Sequence, residues 1–143
     1  MREIIFKGKR KDNGEWIEGS LITSINRAWI SSEKTDSQRL RSISNTNAIW
    51  RSIEIIPETL CQFTGLCDKS GNKIWENDIL MAHLDESYPE DAAYETVEWN
   101  VAGWVGHEAN SIDRQYLDEF DTKYYEVVGN TFDNPELLQE EHK

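Results

Sequence analysis

The 143-residue sequence has little cysteine and no long apolar segment. Its two cysteines, Cys61 and Cys67, have a C-x5-C spacing that matches neither a redox C-x-x-C motif nor a zinc knuckle, so we interpret them as reduced packing thiols. No stretch reaches the about 18 apolar residues of a membrane span, and the apolar run at residues 4–6 is too short for a secretory signal. We therefore expect a soluble protein of the cytoplasm with no membrane partner.

The sequence also lacks the short motifs of common enzyme classes. There is no P-loop, no G-x-S-x-G, no H-E-x-x-H and no G-x-G-x-x-G. Oxygen-bearing residues recur from Asp68 onward as in a calcium loop, but Lys73 and Ile79 stand where an EF-hand needs Gly and Glu. We predict no catalytic residue and no cofactor. A metal-dependent hydrolase is the least favoured hypothesis, because no motif sets the distances within its residues, His83, Asp85 and His107.

Basic residues are scarce and unevenly distributed. Fifteen Lys and Arg against 27 Asp and Glu give a net charge of −12, which opposes undirected binding to nucleic-acid phosphates. Residues 1–57 hold ten basic and seven acidic residues, a net charge of +3, whereas residues 58–143 hold five and twenty, a net charge of −15. Opposite charges favour head-to-tail contact between subunits or attraction of a basic protein. The alternative is a solvated surface with no specific role.

Two basic clusters in the N-terminal half form a candidate contact surface. They suggest nucleic-acid binding as an alternative hypothesis, against which the net charge argues. A second alternative is that the acidic half mimics DNA and binds a basic protein. The residues of the candidate surface are Lys9, Arg10, Lys11, Lys34, Arg39 and Arg41.

Short runs of β-branched and aromatic residues between turn residues predict a mainly β protein. The Asp12-Asn13-Gly14 sequence predicts a hairpin turn, and residues 33–47 predict an exposed loop. Asn134 as N-cap and Pro135 at the first helical position predict one short C-terminal helix. Strands are predicted at residues 4–6, 15–22, 27–31, 48–56, 59–63, 79–84, 94–101, 104–105 (flanked by Gly103 and Gly106) and 123–128.

The residues 94–101 show the clearest alternation. They place Val97, Trp99 and Val101 on one face of the strand, and we interpret the tryptophans as core residues rather than a stacking platform for nucleic acid. Between the strands, Asp68 and Gly71 are predicted turn residues: the carboxylate would bond to nearby amides, and glycine and asparagine tolerate positive φ. Asn77 suits another positive-φ position.

Two segments carry a family resemblance. Residues 64–80 read TGLCDKSGNKIWENDIL, and residues 126–138 read EVVGNTFDNPELL. With the opening MREIIFKGKRKDNGEWIEG, they resemble the YopX family of phage and prophage proteins, whose first motif reads approximately T-G-L-x-D-x-x-G-x-x-I-x-x-x-D-I. Asn77 stands where that family often has Gly. The matching residues are Thr64, Gly65, Leu66, Asp68, Gly71, Ile74, Asp78 and Ile79, then Glu126, Val127, Gly129, Asn130, Asn134, Pro135, Glu136 and Leu137.

The resemblance implies a mainly β, phage-associated protein of a host cell's cytoplasm, self-associating and with no established biochemical activity. We expect a single domain over residues 1–143, subdivided near Pro57 into a basic β subdomain (1–57) and an acidic subdomain (58–143). The strand rhythm of the acidic part is similar to that of a small SH3-like barrel. The leading hypothesis is a non-catalytic, self-associating binding or assembly module, with a basic protein as a further partner.

Overall fold

A computed structural model gives the structure of the chain and describes residues 3–32, 52–83, 92–108, 114–119 and 121–138. The mainly β prediction is confirmed, because these residues form eleven strands and three short 3-10 helices. The strands are β1 (Phe6–Lys9), β2 (Trp16–Ser24), β3 (Arg27–Ser31), β4 (Ile53–Ile55), β5 (Cys61–Cys67), β6 (Lys73–Trp75), β7 (Asp78–His83), β8 (Ala92–Asn100), β9 (Gly103–Glu108), β10 (Arg114–Tyr116) and β11 (Tyr125–Asn130). The 3-10 helices are Pro57–Thr59, Asp121–Tyr124 and Pro135–Leu138. None of these helices has the length and apolar character needed to cross a membrane.

The chain divides into two compact units, residues 1–63 and 64–143. The division falls within β5, whereas the sequence places a boundary near Pro57. The first unit contains ten basic and eight acidic residues, a net charge of +2, and the second contains five and nineteen, a net charge of −14. The negative charge therefore belongs almost entirely to the second unit.

The first unit contains an antiparallel sheet with the strand order β4-β3-β2-β1-β5. The predicted turn at Gly14 joins β1 to β2, and this glycine has a φ of +77°. The sheet supports a small core of Ala28, Ile30 and Ile55, all at most 3% exposed. Gly8 is needed beside this core, because a Cβ at that position would overlap the Ile55 side chain.

The second unit contains a five-stranded antiparallel sheet with the order β10-β9-β8-β7-β11. This corrects the predicted small barrel: β10 and β11 stand at opposite ends of the strand order and, in the part of the chain described, the sheet does not close. The core lies on the face that carries Leu80, Ala82, Val97 and Tyr125, with Ile74 of β6 packed against it. Trp104 and Leu117 cover the cluster partly.

Several elements differ from the prediction, because pairing between distant parts of the chain determines where strands begin and end. Strand β8 ends at Asn100, and Val101 lies in the following turn with 90% of its surface exposed. The short strands β6 and β10 were not predicted. The C-terminal helix is a single 3-10 turn that begins at Pro135, and the Asn134 side chain accepts a hydrogen bond from the Asn130 amide instead of capping that helix. The predicted loop at 33–47 and residues 48–51 of the predicted fourth strand lie outside the described residues.

Candidate interaction surfaces

Four basic residues lie on the β1–β2 hairpin, and each has a partner in the same chain: Lys7, Lys9, Arg10 and Lys11. The Lys9 ammonium lies 5.5 Å from the centre of the Trp16 ring, and Lys7 lies 4.6 Å from it. The Arg10 guanidinium donates to both carboxylate oxygens of Asp12, at 3.0 and 2.8 Å. This hydrogen bonding raises the pKa of Arg10 and lowers the pKa of Asp12. The hairpin is therefore a partly neutralised basic surface.

Glu54 of β4 neutralises two further cations. Arg27 donates to both of its carboxylate oxygens, at 2.9 and 2.8 Å, and Lys11 Nζ lies 3.4 Å from Oε2. Hydrogen bonding from Arg27, together with the Lys11 contact, lowers the pKa of Glu54 to about 2. The other three residues of the candidate basic surface, Lys34, Arg39 and Arg41, lie outside the described residues.

Of the three residues of the hypothetical metal site, His107 is the one whose side chain lies in the described part of the chain. His107 Nδ1 lies 3.0 Å from Glu98 Oε2, and Arg114 Nε donates to Glu98 Oε1 at 3.3 Å. Asp85 lies outside the described residues, as does the side chain of His83. Among the described residues, no group of three or more His, Cys, Asp and Glu has the spacing to hold a metal ion.

The first sequence motif forms the turns that connect β5, β6 and β7. Thr64 Oγ1 donates to the Ile74 carbonyl at 2.7 Å, and Asp78 Oδ2 accepts from the Trp75 amide at 2.8 Å. The predicted turn roles of Gly71 and Asn77 are confirmed, since their φ angles are +86° and +70°. These residues set the local geometry of the turns.

Asp68 has the densest set of contacts in this motif. The side chain is buried, and Oδ1 accepts from the Ser70 and Asn72 amides at 2.9 and 2.8 Å. Oδ2 accepts from the Asn72 side chain at 3.3 Å and from the Val127 amide of β11 at 2.9 Å. Burial alone would raise the pKa of Asp68, but the donors on Val127, Asn72 and Ser70 outweigh burial and lower it. Asp68 therefore links its own turn to the second motif.

The second motif forms the turn that follows β11. Asn130 Oδ1 accepts from the Phe132 and Asp133 amides, both at 2.9 Å, and the Asn130 amide donates to Asn134 Oδ1 at 3.1 Å. The Asn134 side chain packs so closely on Gly129 that a Cβ there would lie 2.5 Å from Oδ1. The side-chain-to-backbone hydrogen bonds typical of a turn are thus present. The Asn134 side chain bonds to the end of β11 and does not cap the helix.

Together the two motifs close one edge of the second unit's sheet. On its inner side, β11 pairs with β7. On its outer side, the Val127 amide donates to Asp68 and the Tyr125 carbonyl accepts from the Lys69 amide at 3.1 Å. A further bond joins the motifs, from the Thr131 amide to the Asn77 carbonyl at 2.9 Å. Because the outward Val127 amide and Tyr125 carbonyl of β11 already have partners, a further strand cannot easily add to this edge.

Large apolar side chains are exposed at the opposite end of the same sheet. We call this end of the sheet the hairpin end and define it by Trp99, Val101, Trp104 and Tyr116. Trp99 and Trp104 pair with each other on one face, whereas Tyr116 pairs with Val105 and lies on the other face. Trp99 and Tyr116 are each 55% exposed and Val101 is 90% exposed. The rings of Trp99 and Trp104 meet edge to face, with centroids 5.0 Å apart.

The sequence interpretation missed this surface. Alternation placed Trp99 and Val101 on the face of Val97. Trp99 does share that face, although it is 55% exposed, whereas the register pairs Asn100 with Gly103 and leaves Val101 and Ala102 as a two-residue turn. The available signal was the pair of turn-favouring residues, Asn100 and Gly103, around those two. Val101 adopts a φ of +47°, which is unfavourable for a β-branched residue.

Comparison with protein families decides the classification. The family model described as "YopX protein" matches residues 5–139, a range that includes both motifs and the hairpin end.

The chain belongs to the YopX family.

The crystal structure of protein EF1440 from Enterococcus faecalis is similar to this YopX chain, with a TM-score of 0.56 and 20% sequence identity. The similarity covers 97% of this chain and 100% of that one, and at this identity it supports the fold alone. A search of curated proteins found no match.

Proposed function

We propose that this YopX protein is a non-catalytic binding or assembly module that associates with copies of itself. The observation that carries the proposal is the hairpin end, where Trp99, Val101 and Tyr116 are more than half exposed. Exposed aromatic side chains are enriched in protein interfaces. We further propose that the protein acts in the cytoplasm of a phage- or prophage-carrying cell, a proposal supported by its membership of the YopX family.

The conformation of Val101 supports a contact role for this surface. A left-handed φ disfavours a β-branched residue by about 1–2 kcal/mol relative to glycine, and water offers no compensation for an apolar side chain that is 90% exposed. A turn with only a structural role would be more stable with Gly or Asn at this position. Local rules are usually broken where function requires it.

The described ion pairs favour an apolar contact over charge pairing. Arg10, Lys11 and Arg27 already bond to carboxylates of the same chain. An association that depended on these cations would have to break existing pairs, whereas burial of the hairpin end would not. We therefore expect an oligomer that persists in high salt, which screens exposed charges but not apolar contacts.

The test replaces Val101 with asparagine, which tolerates left-handed φ and so preserves the turn while removing the apolar side chain. Ile25→Asn is the matched control, because Ile25 is 87% exposed in the first unit and undergoes the same chemical change. Light scattering after size exclusion should show an oligomer for the wild type and Ile25→Asn, and a shift toward monomer for Val101→Asn. Equal effects of both variants would assign no role to the hairpin end, and a monomeric wild type at every concentration would contradict self-association.

A second candidate function is capture of a cationic protein by the second unit. It is favoured by the net charge of −14 on residues 64–143, which the +2 of another copy's first unit is too small to balance. A DNA-binding protein would then be retained by the immobilised chain at low salt and released by high salt and by competing duplex DNA. If neither high salt nor competing duplex DNA released the bound protein, this role would be contradicted.

A further inference from the structure

We propose that Asn13 is a site of spontaneous deamidation and that the β1–β2 turn controls the rate of this reaction. Asn13-Gly14 is the one Asn-Gly pair in the sequence. Asparagine is among the chemically labile residues, and a glycine after it leaves the attacking backbone nitrogen unhindered because glycine has no side chain. The inference goes beyond the proposed self-association, since it concerns a reaction within one chain.

The reaction needs only the chain and water. The Gly14 nitrogen attacks Cγ of Asn13 and forms a new C–N bond, which closes a cyclic imide. The bond from Cγ to Nδ2 breaks, and Nδ2 leaves as ammonia with the proton that the Gly14 amide loses. Water then opens the imide at either of its carbonyls. Cleavage at Cγ gives aspartate, and cleavage at the backbone carbonyl gives isoaspartate.

The surroundings of the Asn-Gly pair admit water. Asp12, Asn13, Gly14 and Glu15 are all exposed. A Cβ added to Gly14 would meet no atom of the described chain within 4 Å. The fold therefore leaves the pair open to solvent, and the hydrogen bonds of the turn are what restrains the reaction.

Both reacting groups are hydrogen-bonded in the folded turn. The Gly14 amide, which must lose its proton before the nitrogen attacks, donates to the Arg10 carbonyl at 2.8 Å. Asn13 Oδ1 accepts from the Glu15 amide at 2.9 Å, a bond that fixes the side chain. The Arg10 amide donates to the Glu15 carbonyl at 2.8 Å and closes the turn. We therefore expect the imide to form from a transiently opened hairpin.

The side-chain contact that supports this turn lies at the surface. Arg10 pairs with Asp12, whose side chain is 62% exposed, and exposed ion pairs stabilise a protein only weakly. Local opening of the hairpin therefore requires less free energy than global unfolding. Because deamidation is slow compared with opening and closing, its rate should follow the fraction of chains with an open hairpin.

Either product changes the β1–β2 hairpin. A carboxylate replaces a neutral amide, so the one added negative charge lowers the net charge of the first unit from +2 to +1. Aspartate keeps an acceptor oxygen for the Glu15 amide and preserves the turn. Isoaspartate adds a backbone atom to the loop, which disrupts the pairing of Arg10 with Glu15. The modification thus reduces the basic character of the hairpin and, as isoaspartate, its order.

The first experiment locates the modification. The purified full chain is incubated at mildly alkaline pH and sampled over time by peptide mass mapping. Aspartate and isoaspartate should accumulate at residue 13 about tenfold or more faster than at Asn26. Asn26 is the matched control, because it is also exposed in the first unit but is followed by Arg27 instead of glycine. Asn13→Gln should remove most of the acidic species in ion-exchange chromatography, because its longer side chain closes a less favourable ring.

The second experiment tests control by the turn. The full chain unfolded in guanidinium chloride should lose Asn13 about tenfold or more faster than the folded chain. Asp12→Ala removes the ion pair with Arg10 and should accelerate the reaction in the folded chain by about two- to fivefold. Asp133→Ala is the matched control, since Asp133 is an exposed aspartate of the second unit and its loss should leave the rate unchanged. Circular dichroism confirms that each variant is folded.

The outcomes separate the site from its control and both from the proposed function. Selective loss of Asn13 that is faster in the unfolded chain and in Asp12→Ala supports the inference. Equal rates at Asn13 and Asn26 would overturn the site. Equal rates in the folded and unfolded chains, or a slower reaction in Asp12→Ala, would overturn control by the turn. Light scattering tests self-association independently, so either proposal can fail while the other stands.

Discussion

At the residue level, Asp68 performs two structural roles with one carboxylate. Oδ1 holds the turn that follows β5, and Oδ2 accepts from Val127 on β11. Hydrogen bonds to an ionised acceptor are stronger than those between neutral groups. The charge of Asp68 therefore contributes to stability through its four hydrogen bonds, whose donors are backbone and side-chain amides.

Asp68→Asn should lower the free energy of unfolding by about 2 kcal/mol. The variant keeps the shape of the side chain but replaces one acceptor oxygen with an NH2 group that faces a donor. The control is Asp133→Asn, an exposed aspartate in the same unit, whose effect should stay within about 0.5 kcal/mol. Urea unfolding at neutral pH measures both, and equal effects would show that Asp68 is not a linking residue.

The contribution of Asp68 to the free energy of unfolding should also depend on pH. Because the pKa of Asp68 is lowered in the folded state, its stabilisation is present above the unfolded-state pKa of about 3.9 and is lost as the pH falls through the folded-state value. The stability difference between wild type and Asp68→Asn should therefore stay constant from neutral pH to about pH 5 and shrink at lower pH. A difference that grows on acidification would contradict this assignment.

Val101 is the residue at which local preference and structure disagree most. Val101→Gly should raise the free energy of unfolding by about 0.5–1 kcal/mol, because glycine adopts the left-handed φ without a Cβ penalty. Val101→Ala is the control, since it keeps a Cβ and should show little gain. The measurement belongs at low protein concentration, where association adds little to stability. If Val101→Gly were less stable than the wild type, the claim that the left-handed φ is unfavourable for Val101 would be wrong.

At the element level, Gly129 and Asn134 hold the end of β11 against the turn that follows. Gly129→Ala should destabilise the fold by about 1–2 kcal/mol, because its Cβ would overlap the Asn134 side chain. Asn134→Gly removes that side chain, so the double variant should lose less than the sum of the two single variants. A double-mutant cycle by urea unfolding measures this coupling, and strict additivity would contradict the contact.

The turns and strands also differ in how well the sequence alone predicts them. The turns at Gly14, Asp68 and Gly71 follow from local chemistry, and all of them form as predicted. Strand β3 matches the predicted range because five consecutive residues carry the pattern. Strands β6 and β10 have three residues each, too few for a period to appear, and only their neighbours make them strands.

The candidate site was the harder part to predict. Whether a strand is an edge depends on what pairs with it across the sheet, and no local pattern around Arg114 or Tyr116 encodes that. Alternation assigned Val101 to the core because a two-residue turn continues the apparent period of β8. The two family motifs were recognised as a pair, but their shared role at the β11 edge depends on the Asp68–Val127 bond, which joins residues far apart in sequence.

At the scale of the whole molecule, charge and apolar surface predict different assemblies. A net charge of −12 repels copies from one another at low salt, whereas the exposed hairpin end favours their contact. Salt screens the repulsion and leaves the apolar contact intact. Self-association should therefore hold or strengthen as ionic strength rises.

The measurement that tests the central claim most directly is light scattering after size exclusion, over a range of protein concentrations at low and high salt. We predict an oligomer whose population grows with concentration and is retained at high salt. An oligomer that dissociates at high salt would indicate head-to-tail pairing of charged surfaces in place of the hairpin end. A monomer under all conditions would contradict self-association itself.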